Sequence, residues 1–366
     1  MHYRTVVFLL ALVLAFFSSS FAVAEEQKEP IQIGSILYLT GEGSAWGNAS
    51  KNGIEMAISD INKKGGVLGR KLVASHQDDQ GEPNHAISAF RHLTDIENVK
   101  FIVGTTWSNS GFAVGPLADR KKVIMISPSL GRAEFNESSK FLFNVWPHDS
   151  ALASKLADLV YQRGYRNIAL VGAEEVWVKV QTPVFKARFE ELGGNVAFLT
   201  EPLPAGVDAR NLAIKIKNTK GIDAFVSTTN GVIVGSLVAK ALKEIQVDLP
   251  KFSITLDQSA IDAAQGGFEG LEFLTSLTPT PEFQSRYELE FGTPIDIGAD
   301  SAYDAVMLIA KAIEETKSTD TEVIAGYLAK VKTYEGVSGT LISDGKRGFN
   351  KESRLLKVEN GKPRPQ

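Results

Sequence analysis

The chain has 366 residues with 43% hydrophobic and 22% charged side chains, a normal globular balance long enough for two α/β domains. A net charge of −4 offers no basic surface to nucleic acid or anionic lipid. There is no cysteine, which excludes a lipid-modified N-terminal cysteine; a chain this long buries enough core without disulfides.

The first 24 residues read as a signal peptide. His2 and Arg4 open a weakly positive start, residues 6–17 are apolar, and Ala22-Val23-Ala24 precedes Glu25-Glu26. Twelve apolar residues are too few to span a bilayer, and the small-residue exit is a cleavage signal, with the cut expected after Ala24. Removing these residues takes away one arginine and no acid, so the mature net charge is −5. The mature chain is expected free in the periplasm.

Short apolar runs then alternate with helical patterns. Residues 31–37 predict a strand, and residues 47–64 a helix with Ile54, Ala57, Ile58 and Ile61 on one face, stopped by Gly65-Gly66. Residues 101–103 and 123–126 are continuous apolar runs, as parallel strands covered on both faces require. Leu152, Leu156, Leu159 and Val160 mark a helix ended by Gly164, and residues 168–171 a strand. A helix is expected over 183–192, capped by Thr182 and stopped by Gly193-Gly194. Residues 224–226 read as a strand; Val238, Ala241, Leu242 and Ile245 share a helix face, as do Tyr303, Val306, Met307 and Ala310. This alternation predicts parallel sheets with helices on both faces, divided into two domains. Proline-bearing junctions at 146–149 and 278–281 are the candidate boundaries.

Nothing in the chain points to catalysis. The five histidines include no i, i+4 pair, so no metal site is expected. The nucleophile elbow and the P-loop pattern are both missing from the sequence. The glycines at 41, 43 and 47 resemble a dinucleotide fingerprint, but with one residue too many, the strong acid candidates Asp78 and Asp79 more than thirty residues past Gly47, and Trp46 crowding the phosphate position. No cofactor is expected. Glu174-Glu175 and Asp78-Asp79 read as solvated surface.

In open α/β sheets ligands bind beyond the carboxyl ends of the strands. That rule selects residues 40–47, 105–110 and 127–132, and, in the second half, loops carrying Trp177, Asn230 and Asp257. Three of the four tryptophans, Trp46, Trp107 and Trp177, fall in these loops, consistent with an aromatic-lined pocket. Ser108, Asn109 and Ser110 precede a helical stretch. They read either as an N-cap or as a carboxylate site on a helix N-terminus. Asp257, from the other half, is placed to accept from an ammonium group.

The residues at these loops resemble the branched-chain amino-acid (Leu/Ile/Val type) binding proteins of ABC uptake systems. The markers are Ile31-Gln32-Ile33-Gly34, Leu39-Thr40-Gly41, Asn52-Gly53 and Gly65-Gly66-Val67-Leu68-Gly69-Arg70. Further on, Asp78-Asp79-Gln80, Ile102-Val103-Gly104, Ile126-Ser127-Pro128, Ala302-Tyr303-Asp304-Ala305 and Tyr334-Glu335-Gly336-Val337-Ser338-Gly339 agree. The resemblance implies an α/β type I periplasmic-binding fold: two Rossmann-like lobes with parallel sheets, joined by three hinge crossovers near 148, 278 and 340. Lobe 1 would hold 25–148 plus 279–340, and lobe 2 would hold 149–278 plus 341–366. It implies a monomeric solute-binding component of an ABC importer, not an enzyme, that closes on an amino acid or related carboxylate and docks on permease subunits. The alternative is a ligand-sensing module feeding a regulator or chemoreceptor. Carried across, Trp46 covers the ligand, Ser108 binds its carboxylate, and the Ser129 carbonyl and Asp257 take its ammonium. Trp177 and Asn230 fall at positions that are often tyrosine. Three departures stand out. Gly131 replaces an often carboxylate-binding threonine, with Arg132 beside it free to turn inward or to solvent; Trp107 is unusual in its loop; and Asn144 replaces an arginine.

Overall fold

The computed structural model describes residues 28–173, 176, 178–203, 208–229 and 233–366. Trp177, Asn230, Glu174-Glu175 and the signal segment lie outside them.

The first half winds β1 (Ile31–Leu37), α1 (Ser44–Lys63), β2 (Leu72–Asp78), α2 (Pro83–Arg91), β3 (Phe101–Gly104), α3 (Ser108–Lys121), β4 (Ile124–Ser127), α4 (Ala133–Glu137) and β5 (Leu142–Asn144). Its five strands form one parallel sheet in the order β2-β1-β3-β4-β5. The second half continues with α5 (Asp149–Gln162), β6 (Asn167–Ala173), α6 (Val178–Glu191), β7 (Asn195–Leu203), α7 (Ala209–Asn218), β8 (Ala224–Ser227), α8 (Ile233–Glu244), β9 (Lys251–Ile254), α9 (Gln258–Ala263) and β10 (Glu272–Thr275). The chain then returns to the first lobe as α10 (Pro281–Phe291), α11 (Ala299–Thr316), α12 (Thr321–Leu328) and a small sheet of β11 (Thr333–Gly336), β12 (Gly339–Ser343) and β13 (Phe349–Asn350). It ends as β14 (Arg354–Glu359) and β15 (Lys362–Pro365), which join the second sheet, ordered β15-β14-β10-β9-β8-β6-β7. Those last two strands are antiparallel, so the second sheet is mixed where the sequence pattern predicts parallel.

Successive residues of a strand point to opposite faces, and both faces are covered. In β6, Ile168 and Leu170 pack with Leu156, Phe185 and Phe189, while Ala169 and Val171 pack with Leu212, Phe225 and Leu242. In the first sheet Ile33, Val103 and Ile126 face α1 and α11; Ile36, Ile102 and Met125 face α2 and α3. Each valine, leucine, isoleucine, phenylalanine or methionine among them contributes about 1.5–3 kcal/mol on burial, which is why the strands read as unbroken apolar runs. Helix α1 approaches α11 at Gly53: a Cβ there would meet the Ala299 carbonyl oxygen at 2.0 Å.

Three local expectations change. Helix α1 begins at Ser44, about one turn before the expected Gly47, and so carries Trp46 in its first turn. Helix α6 begins at Val178 with Pro183 inside it; the Thr182 hydroxyl bonds that of Thr228 at 2.8 Å and is no cap. A single proline in the second turn costs the helix one ladder bond. Asp79 is buried, not solvated. Its N–H donates to the Leu37 carbonyl (2.9 Å), its carboxylate accepts from the Gly81 N–H (2.9 Å), and burial holds its carboxyl above the usual range.

The passages between the lobes meet at Asp300 in α11. Its Oδ2 accepts from the Thr278 N–H, on the second passage, and from Lys351 Nζ, on the third, both at 3.1 Å. The lysine ammonium also lies 5.2 Å from the ring centre of Trp146, on the first passage. Lys351 and Asp300 side chains are 1% and 0% exposed. The Thr278 hydroxyl donates to the Ser338 carbonyl (2.7 Å), and Asp304 accepts from the N–H groups of Val337 and Ser338, both at 2.9 Å. Leu341 and Phe349 bury in the first lobe's core, so the chain joins the second sheet only after Asn350, later than the expected 340.

Candidate functional site

In the first sheet the strand order reverses between β1 and β3, and the loops leaving their carboxyl ends face the second lobe. The first turn of α1 supplies Trp46. The loop after β3 supplies Thr106, Trp107 and Ser108, and the loop after β4 supplies Ser129 and Gly131. These residues, with Trp146, Asp149 and Thr255, line a pocket with about 300 Å³ of empty space including its mouth. Three indoles make the pocket wall mainly apolar. Trp107 packs edge-on against Tyr38, with centroids 4.7 Å apart.

Five of the residues singled out from the sequence therefore converge: Trp46, Trp107, Ser108, Ser129 and Gly131. Their roles are refined. Trp107, not a serine, stands at the N-cap of α3, and Ser108 is its first residue. Ser127 and Ser129 are tied to the neighbouring loop by hydroxyl bonds to the carbonyls of Thr105 and Thr106, both 2.9 Å. Trp177 and Asn230 lie outside the described residues.

Asp257 accepts three hydrogen bonds from the protein itself. Its Oδ1 accepts from the Ala260 N–H and the Ser259 hydroxyl, both at 2.7 Å, capping α9. Its Oδ2 accepts from Trp46 Nε1 at 2.8 Å. This bond joins the two lobes directly. It stands between the pocket and a second, wider cavity of about 1400 Å³ of empty space, open to solvent, that Asp257 lines with Asn48, Asn52, Leu277, Tyr287 and Asp296. Burial, with the Asp257 charge added, pushes the Asp296 carboxyl up to about 7.

Arg132 does not turn inward. Its guanidinium is bidentate with Glu134 (Nε 3.1 Å, Nη2 2.7 Å) and donates to the Val176 carbonyl. Asn144 is buried; its amide donates to the Leu130 carbonyl and its oxygen accepts from the Trp146 N–H at 3.1 Å.

The sequence does not single out Trp146, Asp149 and Thr255, and offers Thr106 only as part of the 105–110 loop. Trp146 and Asp149 sit in a segment read only as a boundary, although it follows the carboxyl end of β5, where the strand-end rule already points. Asp149 is 7% exposed, and burial pushes its carboxyl up to about 7 against the pull of the Gln181 side chain and the Arg132 charge. Among the described residues no group of three or more acids or histidines is placed to hold a metal, and no helix is long and apolar enough to cross a membrane.

The periplasmic binding protein family profile matches residues 30–362. The chain belongs to that family. A Brucella melitensis Leu/Ile/Val-binding protein homologue is 25% identical over 338 residues, spanning 89% of this chain and 90% of that one. The fold matches a branched-chain amino acid transporter substrate-binding protein from Streptococcus pneumoniae in complex with isoleucine, with a TM-score of 0.84, 23% identity, and 91% and 97% of the two chains covered. It also matches a solute-binding protein of an ABC transporter from Rhodopseudomonas palustris in complex with 3,4-dihydroxybenzoic acid, with a TM-score of 0.80, 22% identity, and 91% and 95% covered. The two-lobed α/β architecture is thus that of type I periplasmic binding proteins.

Proposed function

We propose that this protein is the exported, non-catalytic receptor of an ABC importer. It captures an amino acid or a related aliphatic or aromatic carboxylate between its lobes. The observation that carries the reading is the indole-walled pocket at the lobe junction, beside the interlobe bond from Trp46 to Asp257. Trp46, Trp107 and Trp146 supply apolar contact, and the α3 N-terminus at Ser108 supplies free N–H groups for a carboxylate. Lobe 1 comprises residues 25–148 with the return segment 279–350, and lobe 2 comprises 149–278 with 351–366. The closing motion bends the three passages around Asp300 and presents a joint surface to permease subunits. The signal segment directs export and is then cleaved after Ala24, and the mature protein acts as a monomer.

The test is thermal unfolding of the mature chain against the twenty amino acids and a set of aromatic carboxylates, with indole emission read in parallel. A ligand at a hundredfold over its Kd stabilises by about 2.7 kcal/mol. A shift with one compound class supports capture, and no shift with any refutes it. Co-purification with permease subunits supports the importer role; co-purification with a regulator or chemoreceptor replaces it.

A further inference from the structure

We infer that Gly131 and Asp149 act as a pair that sets ligand chemistry: the missing side chain at 131 lets the Asp149 carboxyl form the pocket wall, and the ligand group seated there is a hydrogen-bond donor. The inference rests on the capture reading above and narrows its ligand class.

The two residues are held in register, since the Asp149 N–H donates to the Gly131 carbonyl at 2.8 Å. A Cβ on residue 131 would lie 2.0 Å from Asp149 Oδ1, 2.1 Å from Cγ and 2.3 Å from Oδ2. No side chain fits at 131 while the carboxyl keeps this position. The carboxyl therefore occupies the space that a side chain at 131, such as a threonine hydroxyl, would fill. An acceptor wall stands where a donor would.

The two polar side chains nearest Gly131 in the chain, Arg132 and Ser129, do not supply the missing donor. The Arg132 guanidinium is held by Glu134 and the Val176 carbonyl. The Ser129 hydroxyl is spent on the Thr106 carbonyl. Asp257, the other acid at the lobe junction, already accepts from Trp46, Ser259 and Ala260. Above about pH 7, where the Asp149 carboxyl is mostly ionised, a ligand carboxylate set against it meets like charge, whereas an ammonium or a hydroxyl meets an acceptor withdrawn from water. Such a bond strengthens as solvent is excluded. A ligand with both ends satisfied puts its carboxylate toward the α3 N-terminus and its donor toward Asp149.

The test uses matched pairs that differ only in the donor, measured by calorimetry on the mature chain at about pH 8, above the Asp149 titration: leucine against 4-methylpentanoate, phenylalanine against 3-phenylpropanoate, and 4-hydroxybenzoate against benzoate. We expect the donor-bearing member of at least one pair to bind about tenfold or more tightly. Preference in the first two pairs identifies an ammonium, and in the third a hydroxyl. Asp149→Ala should bring the preferred pair to within about threefold, while the donorless partner keeps its affinity. Gly131→Ala should do the same by displacing the carboxyl. Circular dichroism and melting serve as fold controls for each variant, and Asp149→Ala, which removes the acceptor outright, decides the matter if Gly131→Ala fails to fold. Equal affinities within every pair overturn the inference and leave capture of carboxylates standing. A preference that survives Asp149→Ala but is lost in Asp257→Asn overturns it and returns the role to Asp257. Binding of no compound overturns both readings.

Discussion

Replacing Lys351 by methionine tests how the three passages between the lobes are held. The Lys351 ammonium is withdrawn from water, 3.1 Å from Asp300 Oδ2, 3.1 Å from the Ser301 hydroxyl and 5.2 Å from the centre of the Trp146 ring. Methionine keeps much of the side-chain length and apolar contact but removes the charge, leaving the Asp300 carboxylate buried without its cation. Breaking a buried pair from one side costs about 3–5 kcal/mol, because the remaining charge is uncompensated. The lost contact with the Trp146 face adds up to about 2 kcal/mol when desolvated. The double variant Lys351→Met with Asp300→Asn removes that charge while keeping an oxygen to accept from the Thr278 N–H. It should recover about 2 kcal/mol or more of the loss, since the pair itself contributes little beyond its own desolvation. The assay is urea unfolding followed by far-ultraviolet circular dichroism for wild type, both single variants and the double. A single-variant cost below about 1 kcal/mol, or a double variant no more stable than Lys351→Met, would refute the reasoning.

Other outcomes follow from the same contacts. Burial lifts the Asp149 carboxyl to about 7 from an unfolded value near 3.9, so the folded chain binds the extra proton and stability falls as pH rises from about 4 to 7, by roughly 4 kcal/mol. Asp149→Asn should therefore raise the melting temperature at pH 8 far more than at pH 4; an equal effect at both would show the carboxyl is not desolvated. Trp46→Phe deletes the indole N–H bond to Asp257, worth about 1.5–3 kcal/mol as a bond to a charged group. Ligand-free protein should then show a larger radius of gyration by X-ray scattering, and an unchanged curve would deny that this bond draws the lobes together. At Gly53, helix propensity favours alanine by about 1 kcal/mol, but a Cβ 2.0 Å from the Ala299 oxygen forces α1 and α11 apart at about 1–3 kcal/mol. A melting temperature higher than wild type would show that the helices yield.

What the chain determined by itself was local or periodic. Buried parallel strands carry apolar residues on both faces, so β3, β4 and β8 stand out as unbroken runs, and the alternation of strands with amphipathic helices implies the layered fold. The strand-end rule then located Trp46, Trp107, Ser108, Ser129 and Gly131, because it depends only on where strands stop. Tertiary structure decided every property that depends on a partner distant in sequence. Asp257 pairs with an indole 211 residues away, and Arg132 with a carbonyl 44 residues on. Asp79, one of two adjacent acids with no pattern to separate them, is buried by the way its turn folds back on Leu37. Gly131 looked like a lost hydroxyl until Asp149 was seen to fill its space, since a vacancy and its occupant are visible together only when the chain brings them within bonding distance.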